Sequence, residues 1–386
     1  MPQIDTHAVA TGLLVTLVGY ASSAAIVIKG LAAVGASETE IVSGLVGLAI
    51  ALFVLAVGLS RWTRMPISIA WSTPGMAMLA TSAMPAGGFP AAVGAFVLAG
   101  AAIVLAGLWE PLGRLVAAIP KPIANGMLAG VILKLCLSPF VALGRLPLAA
   151  GAILLTWVVL MRFARLWAAP AAAAVALAAM AFDDGTKGLA FAWPTVRLVV
   201  PTFDLQTTIS LALPLFLVTM ASQNIPGWAV LAANGYRPPF RPILVATGLV
   251  SVALAPIAMP TVNLAAITAA LAAGDEAGPD RSRRWIVAAI GGIGHLTLGL
   301  LAAFAVVLVT RSSPQLIEAA AGLALVGALA GSLKGTIDSE PDRIPALITF
   351  LVAASGLTWG GIGPAFWALV AGIAVHVFAT WKPSAA

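Results

Sequence analysis

The chain has 386 residues, of which 61% are hydrophobic and 9% charged, with a formal net charge of +6 and a mean hydropathy of +1.05. A water-soluble globule has too little polar surface to cover such a sequence, so the chain is an all-α polytopic membrane protein. The pI of about 10.0 does not signal nucleic acid, because the charges sit singly between apolar segments and no basic run is interleaved with aromatics. The single cysteine, Cys136, excludes both a disulfide framework and a cysteine-based metal site.

A membrane helix needs about 20 mostly apolar residues. Fourteen segments approach that, several of them short or interrupted, starting near His7, Ile41, Met65, Pro90, Pro122, Leu146, Leu166, Ile209, Pro242, Pro260, Arg284, Pro314, Ile344 and Gly363. The first apolar run, from Ala8 to Ile28, is read as a transmembrane segment and not as a cleaved signal, since no Lys or Arg precedes it. Of the 20 Lys and Arg, fourteen fall in the even-numbered loops and the C-terminal tail, among them Arg61, Arg64, Arg162, Arg165, Arg237 and Arg241. Positive charge marks the cytoplasmic side, which places both termini there, in a bacterial-type inner membrane.

The first segment carries "ASSAAIVIKGLAAVG" (21–35) and the eighth "ASQNIPGWAVLAANG" (221–235), in register at an offset of 200. The third carries "IAWSTPGMAMLAT" (69–81), which finds a partner in "IAMPTVNLAAITA" (257–269) at an offset of 188, and Pro122 matches Pro314 at 192. The expectation is two seven-segment inverted repeats, residues 1–200 and 201–386, since an odd number of spans makes the second copy enter from the opposite face. The stretch Asp183–Gln206, with its strand-like "VRLVV", is expected to be a surface connector between the copies.

Segment three is interrupted at Ser72-Thr73-Pro74-Gly75 and segment ten at Pro256 to Pro260. Paired interruptions at corresponding places point to a transporter site, because unwound backbone at membrane depth is tolerated only where it lines a cavity or is buried in protein. Pro74 and Pro260 suit the first turn of a following half-helix, with Ser72, Thr73 or the residues before Pro260 as caps. Two half-helix N-termini then aim free N–H groups at a common point that favours a small anion.

Around that point the polar candidates are Ser222, Gln223 and Asn224 in segment eight, Tyr20, Ser22 and Ser23 in segment one, and Asn263 just inside half-helix ten. Uncharged amides and hydroxyls donate to an anion without a buried ion; the competing reading is ordinary small-and-polar helix packing. Candidates for an apolar wall are Trp71, Tyr20 and the faces near Ile123–Met127 and Leu316–Ala320. Titratable groups at membrane depth are few. His295 in "GGIGHLTLGLL" and Glu318, a turn after Pro314, are the proton-coupling candidates. Each has a structural alternative, His295 hydrogen-bonded in the interior and Glu318 as a first-turn acid on the helix dipole. Lys29 and Lys134 are expected to snorkel toward water, and Glu110 to form an interface ion pair beside Arg114. No phosphate loop, metal-ligand cluster or nucleophile triad is present, and "GGIG" at 291–294 lacks the strand context of a dinucleotide fingerprint. Neither enzymatic activity nor a cofactor or metal is expected.

"AWSTPGMAMLAT" (70–81), "ASQNIPGWAVLAANGYRPP" (221–239), "NLAAITAAL" (263–271) with the following "DEAGPDRSRRW", and "AGLALVGAL" (321–329) resemble the BenE family of benzoate:proton symporters, in the same order and across most of the chain. The resemblance implies a fold related to nucleobase permeases and sulfate or bicarbonate transporters. It also implies a core domain (about 7–110 plus 209–311) moving against a gate domain (about 111–182 plus 312–381). The implied partners are a small aromatic carboxylate, protons, membrane lipid and a second copy of the chain in a homodimer. The expected substrate site, read from the breaks and the polar residues around them, is Tyr20, Ser22, Trp71, Ser72, Thr73, Gly75, Gln223, Asn224, Thr261 and Asn263. One departure stands out: where the family has Pro-Phe-Gly-Gly, this chain has Pro256-Ile257-Ala258-Met259. The alternatives are a permease for another small anion or a nucleobase on the same fold, an anion channel, and a membrane scaffold without transport.

Overall fold

Prolines and small polar residues decide where the helices begin. The computed structural model describes residues 6–109, 111, 119–182, 192–265, 267–359 and 362–380; the expectations for Glu110 and Arg114, and for the side chain of Ser22, lie outside the described residues. α1 (Thr6–Ala33) is followed by α2 (Glu38–Thr63), which opens on a capping box: Ser37 Oγ accepts the Glu40 N–H and Glu40 Oε2 accepts the Ser37 N–H. A short strand β1 (Ile69–Trp71) leads directly into the eight-residue α3 (Thr73–Ala80). α4 (Gly88–Leu108), α5 (Lys121–Arg145), α6 (Pro147–Phe163) and α7 (Arg165–Ala181) complete the first half, α5 and α6 carrying Pro122 and Pro147 in their first turns, where a missing N–H costs nothing.

The second half begins with α8 (Leu205–Ala233), a 29-residue helix with π turns at Thr208–Ala212 and Met220–Asn224. Each π turn ends two residues before a proline, Pro214 and Pro226. A proline ring clashes with the carbonyl four residues back and offers no N–H, and widening the turn relieves both faults. The Leu213 and Ile225 N–H groups accordingly reach five residues back, to Thr208 and Met220. α9 (Phe240–Leu254) ends in a 3-10 turn at Ala255–Ile257, and β2 (Val262–Leu264) precedes α10 (Ile267–Ala273). α11 (Trp285–Gly299) and α12 (Ala302–Arg311) meet at a 60° bend, and α13 (Pro314–Ile337), α14 (Arg343–Ser355) and α15 (Pro364–Thr380) close the chain. Among the described residues six helices are long and apolar enough to cross a membrane, or seven with the bent α11–α12 pair as one. This is an integral membrane protein.

All fourteen expected starts fall within four residues of the start of an observed element, but at the third and the tenth that element is a strand. Pro260 is not the first turn of a helix. It precedes β2, and the short helix starts at Ile267, so Asn263 lies in the strand and not inside a half-helix. The turn before β2 is made instead by Ala258, at φ 67°, a left-handed conformation unusual for a residue with a Cβ. The connector also differs from expectation. Its described part, from residue 192, forms no strand, and it is not merely superficial: Arg197 N–H donates to Ser43 Oγ, Val199 N–H to Pro256 O and Thr202 N–H to Pro90 O, with Val199 buried.

Inside a bilayer helix association rests on close packing more than on the hydrophobic effect, so glycines sit at the contacts. α11 lies on both α1 and α2: a Cβ at Gly294 would strike Thr16, and one at Gly299 would come 2.5 Å from the Ala49 Cβ. α4 packs on α9 through Gly100 and Gly248. On the other side α5 packs on α13 and α14, where Gly126 and Gly130 face the backbone of Ala346 and Phe350.

Candidate functional site

β1 and β2 pair antiparallel with Ile69 opposite Leu264, Ala70 opposite Asn263 and Trp71 opposite Val262. The two interrupted segments therefore meet. A lone two-stranded contact leaves two outer edges of peptide groups unpaired, and each unpaired group would cost several kcal/mol in a membrane interior. Neighbouring side chains take them up. Asn224 Oδ1, on α8, accepts the Leu264 N–H at 3.0 Å, Ser251 Oγ accepts the Val262 N–H at 3.0 Å, and the Ala265 N–H donates to Ser68 O at 3.0 Å. With its amide oriented to satisfy both ends, Asn263 accepts the Ser72 N–H at 2.9 Å and donates to Leu264 O at 2.8 Å. Asn224 and Asn263 are fully buried, and both hold the crossing together.

Each short helix follows its strand, so each presents its N-terminal end to the crossing. At α3 the donors are largely occupied. Ser72 Oγ accepts the Gly75 N–H at 3.1 Å, Ser72 O accepts the Met76 N–H, and Pro74 has no N–H, which leaves the N–H of Thr73. Gly75 allows this approach because a Cβ there would come 2.6 Å from Leu215 Cδ1 on α8.

An aromatic cluster lines one flank. Trp71 is buried, its Nε1–H donating to Ser23 Oγ at 3.0 Å, and Ser23 in turn donates to Gly19 O. Tyr20 meets Trp71 edge-on with centroids 5.8 Å apart, and the His295 ring lies 6.0 Å from Trp71 and 6.5 Å from Tyr20. His295 Nδ1 is 2.8 Å from Gly291 O. A carbonyl only accepts, so Nδ1 carries the proton, and in the neutral ring Nε2 is the lone-pair nitrogen. That nitrogen packs toward Gly19, where a Cβ would come within 3.3 Å of it.

Several buried polar groups have no partner among the described residues. The hydroxyls of Tyr20, Ser68, Thr219 and Thr261 are buried and unpaired. Thr261 stands opposite Ser72, one step beyond the Trp71–Val262 pair, at the mouth of α3. Gln223 is also buried, and Thr219 lies one turn before it on α8. Ser68 and Thr219 escape sequence reasoning, although a hydroxyl four residues before an amide on one helix was a usable signal.

Glu318 does not join this cluster. Its Oε1 lies 2.6 Å from Lys29 Nζ, an ion pair between α13 and α1, and Glu318 falls beyond the first turn of α13, so it is not the first-turn acid expected. Lys29 is ten residues beyond Gly19 on α1, so the two proton-coupling candidates are separated by about 15 Å along that helix.

At the opposite end of α10, Arg284 is buried and donates to Ala273 O and Gly278 O, with Nη2 3.0 Å from Asp275 Oδ1. It satisfies the C-terminal carbonyl end of the short helix, the role the acidic-basic loop "DEAGPDRSRRW" serves.

Among solved structures the chain resembles the transmembrane domain of the cyanobacterial bicarbonate transporter BicA (TM-score 0.56, 16% identity, 97% of this chain and 96% of that one). It also resembles the murine anion transporter Slc26a9 in its inward-facing state (TM-score 0.61, 14% identity, 99% and 70%). At those identities the likeness is one of fold. Two curated relatives are closer in sequence: the Escherichia coli inner membrane protein YdcO, 38% identical over 95% of this chain and 94% of its own, and the Acinetobacter baylyi benzoate membrane transport protein, 32% identical over 97% and 95%. The model of the BenE family, described as benzoate membrane transport protein, matches residues 3–378, and the chain belongs to that family.

Proposed function

We propose that the protein is a secondary active transporter that imports benzoate, or a similar aromatic carboxylate, together with protons by alternating access. The observation that carries this reading is the buried crossing of β1 and β2, flanked by Tyr20, Trp71 and His295, by the unpaired Thr261 hydroxyl and by buried Gln223. Such a setting suits a ligand with a charged end and a flat apolar end. Family membership and the name of the Acinetobacter relative support the choice of substrate.

In this reading the carboxylate lies at the mouth of α3, met by the Thr73 N–H, the Thr261 hydroxyl and the Gln223 amide. The positive ends of two half-helices, belonging to two inverted seven-segment repeats, add their dipoles. The aromatic ring packs on Trp71 and Tyr20. His295 Nε2 receives the proton, since Nδ1 is held by Gly291. Proton entry offsets the anion's charge, which otherwise costs about 2.3 kcal/mol per 100 mV on import against a negative interior. The core (about 7–110 plus 209–311) then moves against the gate (about 111–182 plus 312–381), in an inner membrane with both termini cytoplasmic.

Uptake of labelled benzoate into proteoliposomes tests this. An imposed inward proton gradient is expected to stimulate uptake in the wild type and to lose its effect in His295→Gln. Indifference of the wild type to the gradient overturns symport, and displacement of benzoate by sulfate, bicarbonate or uracil at lower concentrations overturns the substrate class.

A further inference from the structure

A cavity of about 460 Å³ opens between α1, the C-terminal end of α3, α5 and the start of α13. It contains the Lys29–Glu318 ion pair and a second ammonium, Lys134. Lys134 is the fourteenth residue of the 25-residue α5, near mid-helix, and has no ion-pair partner among the described residues. Charged side chains at that depth are expensive and mark ligand or ion pathways. With Glu318 matched by Lys29, the cavity keeps one uncompensated positive charge. Its remaining wall is mixed, with Leu135 and Val141 apolar and the hydroxyl of Ser138 already donating to Glu318 O. α3 spans only eight residues, about 12 Å, between this cavity and the crossing.

We propose that this cavity is a second anion site, a capture subsite where Lys134 holds the carboxylate of an aromatic acid before it reaches the crossing. Lys29 is the second contact, shared with Glu318. The proposal rests on the transport reading above and adds a station to it. The exposed Lys134 ammonium lines this cavity and offers a mobile anion a charge-assisted contact, and a carboxylate with an apolar body matches both the charge and the walls. The phosphate of an anionic lipid would supply the same charge from the bilayer, and the test separates the two.

Binding of labelled benzoate is measured on the full chain in nanodiscs of phosphatidylcholine with and without phosphatidylglycerol, and initial uptake in liposomes of the same compositions. Lys134→Gln is expected to raise the KM and the Kd about tenfold, the loss of one charge-assisted contact, with little change in maximal rate. Lys134→Arg should stay within about twofold of wild type. The double variant Lys29→Gln with Glu318→Gln, which removes the pair without leaving a lone charge, should weaken binding less than Lys134→Gln. Removing a mid-membrane charge does not burden folding, and a thermal unfolding trace on each variant checks this. If Lys134→Gln binds benzoate like the wild type while wild-type uptake persists, the subsite is refuted and the transporter reading stands. If the wild type binds no aromatic carboxylate, both fall. If the Lys134→Gln effect occurs only with phosphatidylglycerol present, the anion is lipid and the proposal is overturned.

Discussion

The two interrupted segments solve one physical problem with different chemistry. Each brings an extended strand and a short helix to the molecule's interior, where no peptide group can be left bare. In the third segment the helix cap is local: Ser72 caps Gly75, and Pro74 removes a donor that would have needed a partner. In the tenth it comes from elsewhere in the chain, Asn224 on α8 for the Leu264 N–H, Ser251 on α9 for the Val262 N–H, and Arg284 beyond the loop for the end of α10. Local capping leaves a motif that reads off the sequence; capping from a distance leaves none.

The sharpest way to break this contrast is Asn224→Leu. It strands the Leu264 N–H in the interior and should lower stability by about 2 kcal/mol, seen as a fall in the detergent-solubilised melting temperature. If the melting temperature does not move, the tenth segment is not held from α8. Ser72→Ala tests the local cap and should cost about 1 kcal/mol, whereas Ser72→Gly should cost only a few tenths. Equal losses for the two would mean that the hydroxyl is not the cap. One further effect has the opposite sign. Ala258 occupies a left-handed conformation, so Ala258→Gly should stabilise the protein by roughly 0.5–1 kcal/mol, checked by the same melt. A loss would show that the Ala258 methyl makes contacts worth more than the backbone strain.

The same contrast explains what sequence reasoning reached and where it stopped. Helix starts were legible because Pro122, Pro147, Pro314 and Pro364 announce them, and the break at Ser72–Gly75 because it combines a capping residue, a proline and a glycine. The second break was displaced because Pro260 is the conspicuous residue, yet it serves the approach to β2, while the helix opens at Ile267 without a proline at its head. Trp71, Tyr20 and His295 were each nameable as candidates, but their meeting needs α1, β1 and α11 in one place, which spacing does not encode. Asn224 and Asn263 were legible as buried polar groups, though not as partners of the backbone. The Lys29–Glu318 pair joins residues 289 apart, beyond the reach of any local pattern.

The wide turns of α8 bear on how that helix behaves as a mechanical part. Each holds one residue more than regular winding requires, and such slack normally wanders along a helix, because neighbouring peptide bonds re-form one position on and swing the intervening side chains by about 100°. Here Pro214 and Pro226, with no hydrogen to hand on, stop each surplus from passing. The azimuth at which Gln223 and Asn224 face the crossing is thus locked by two rings that make no hydrogen bond through nitrogen.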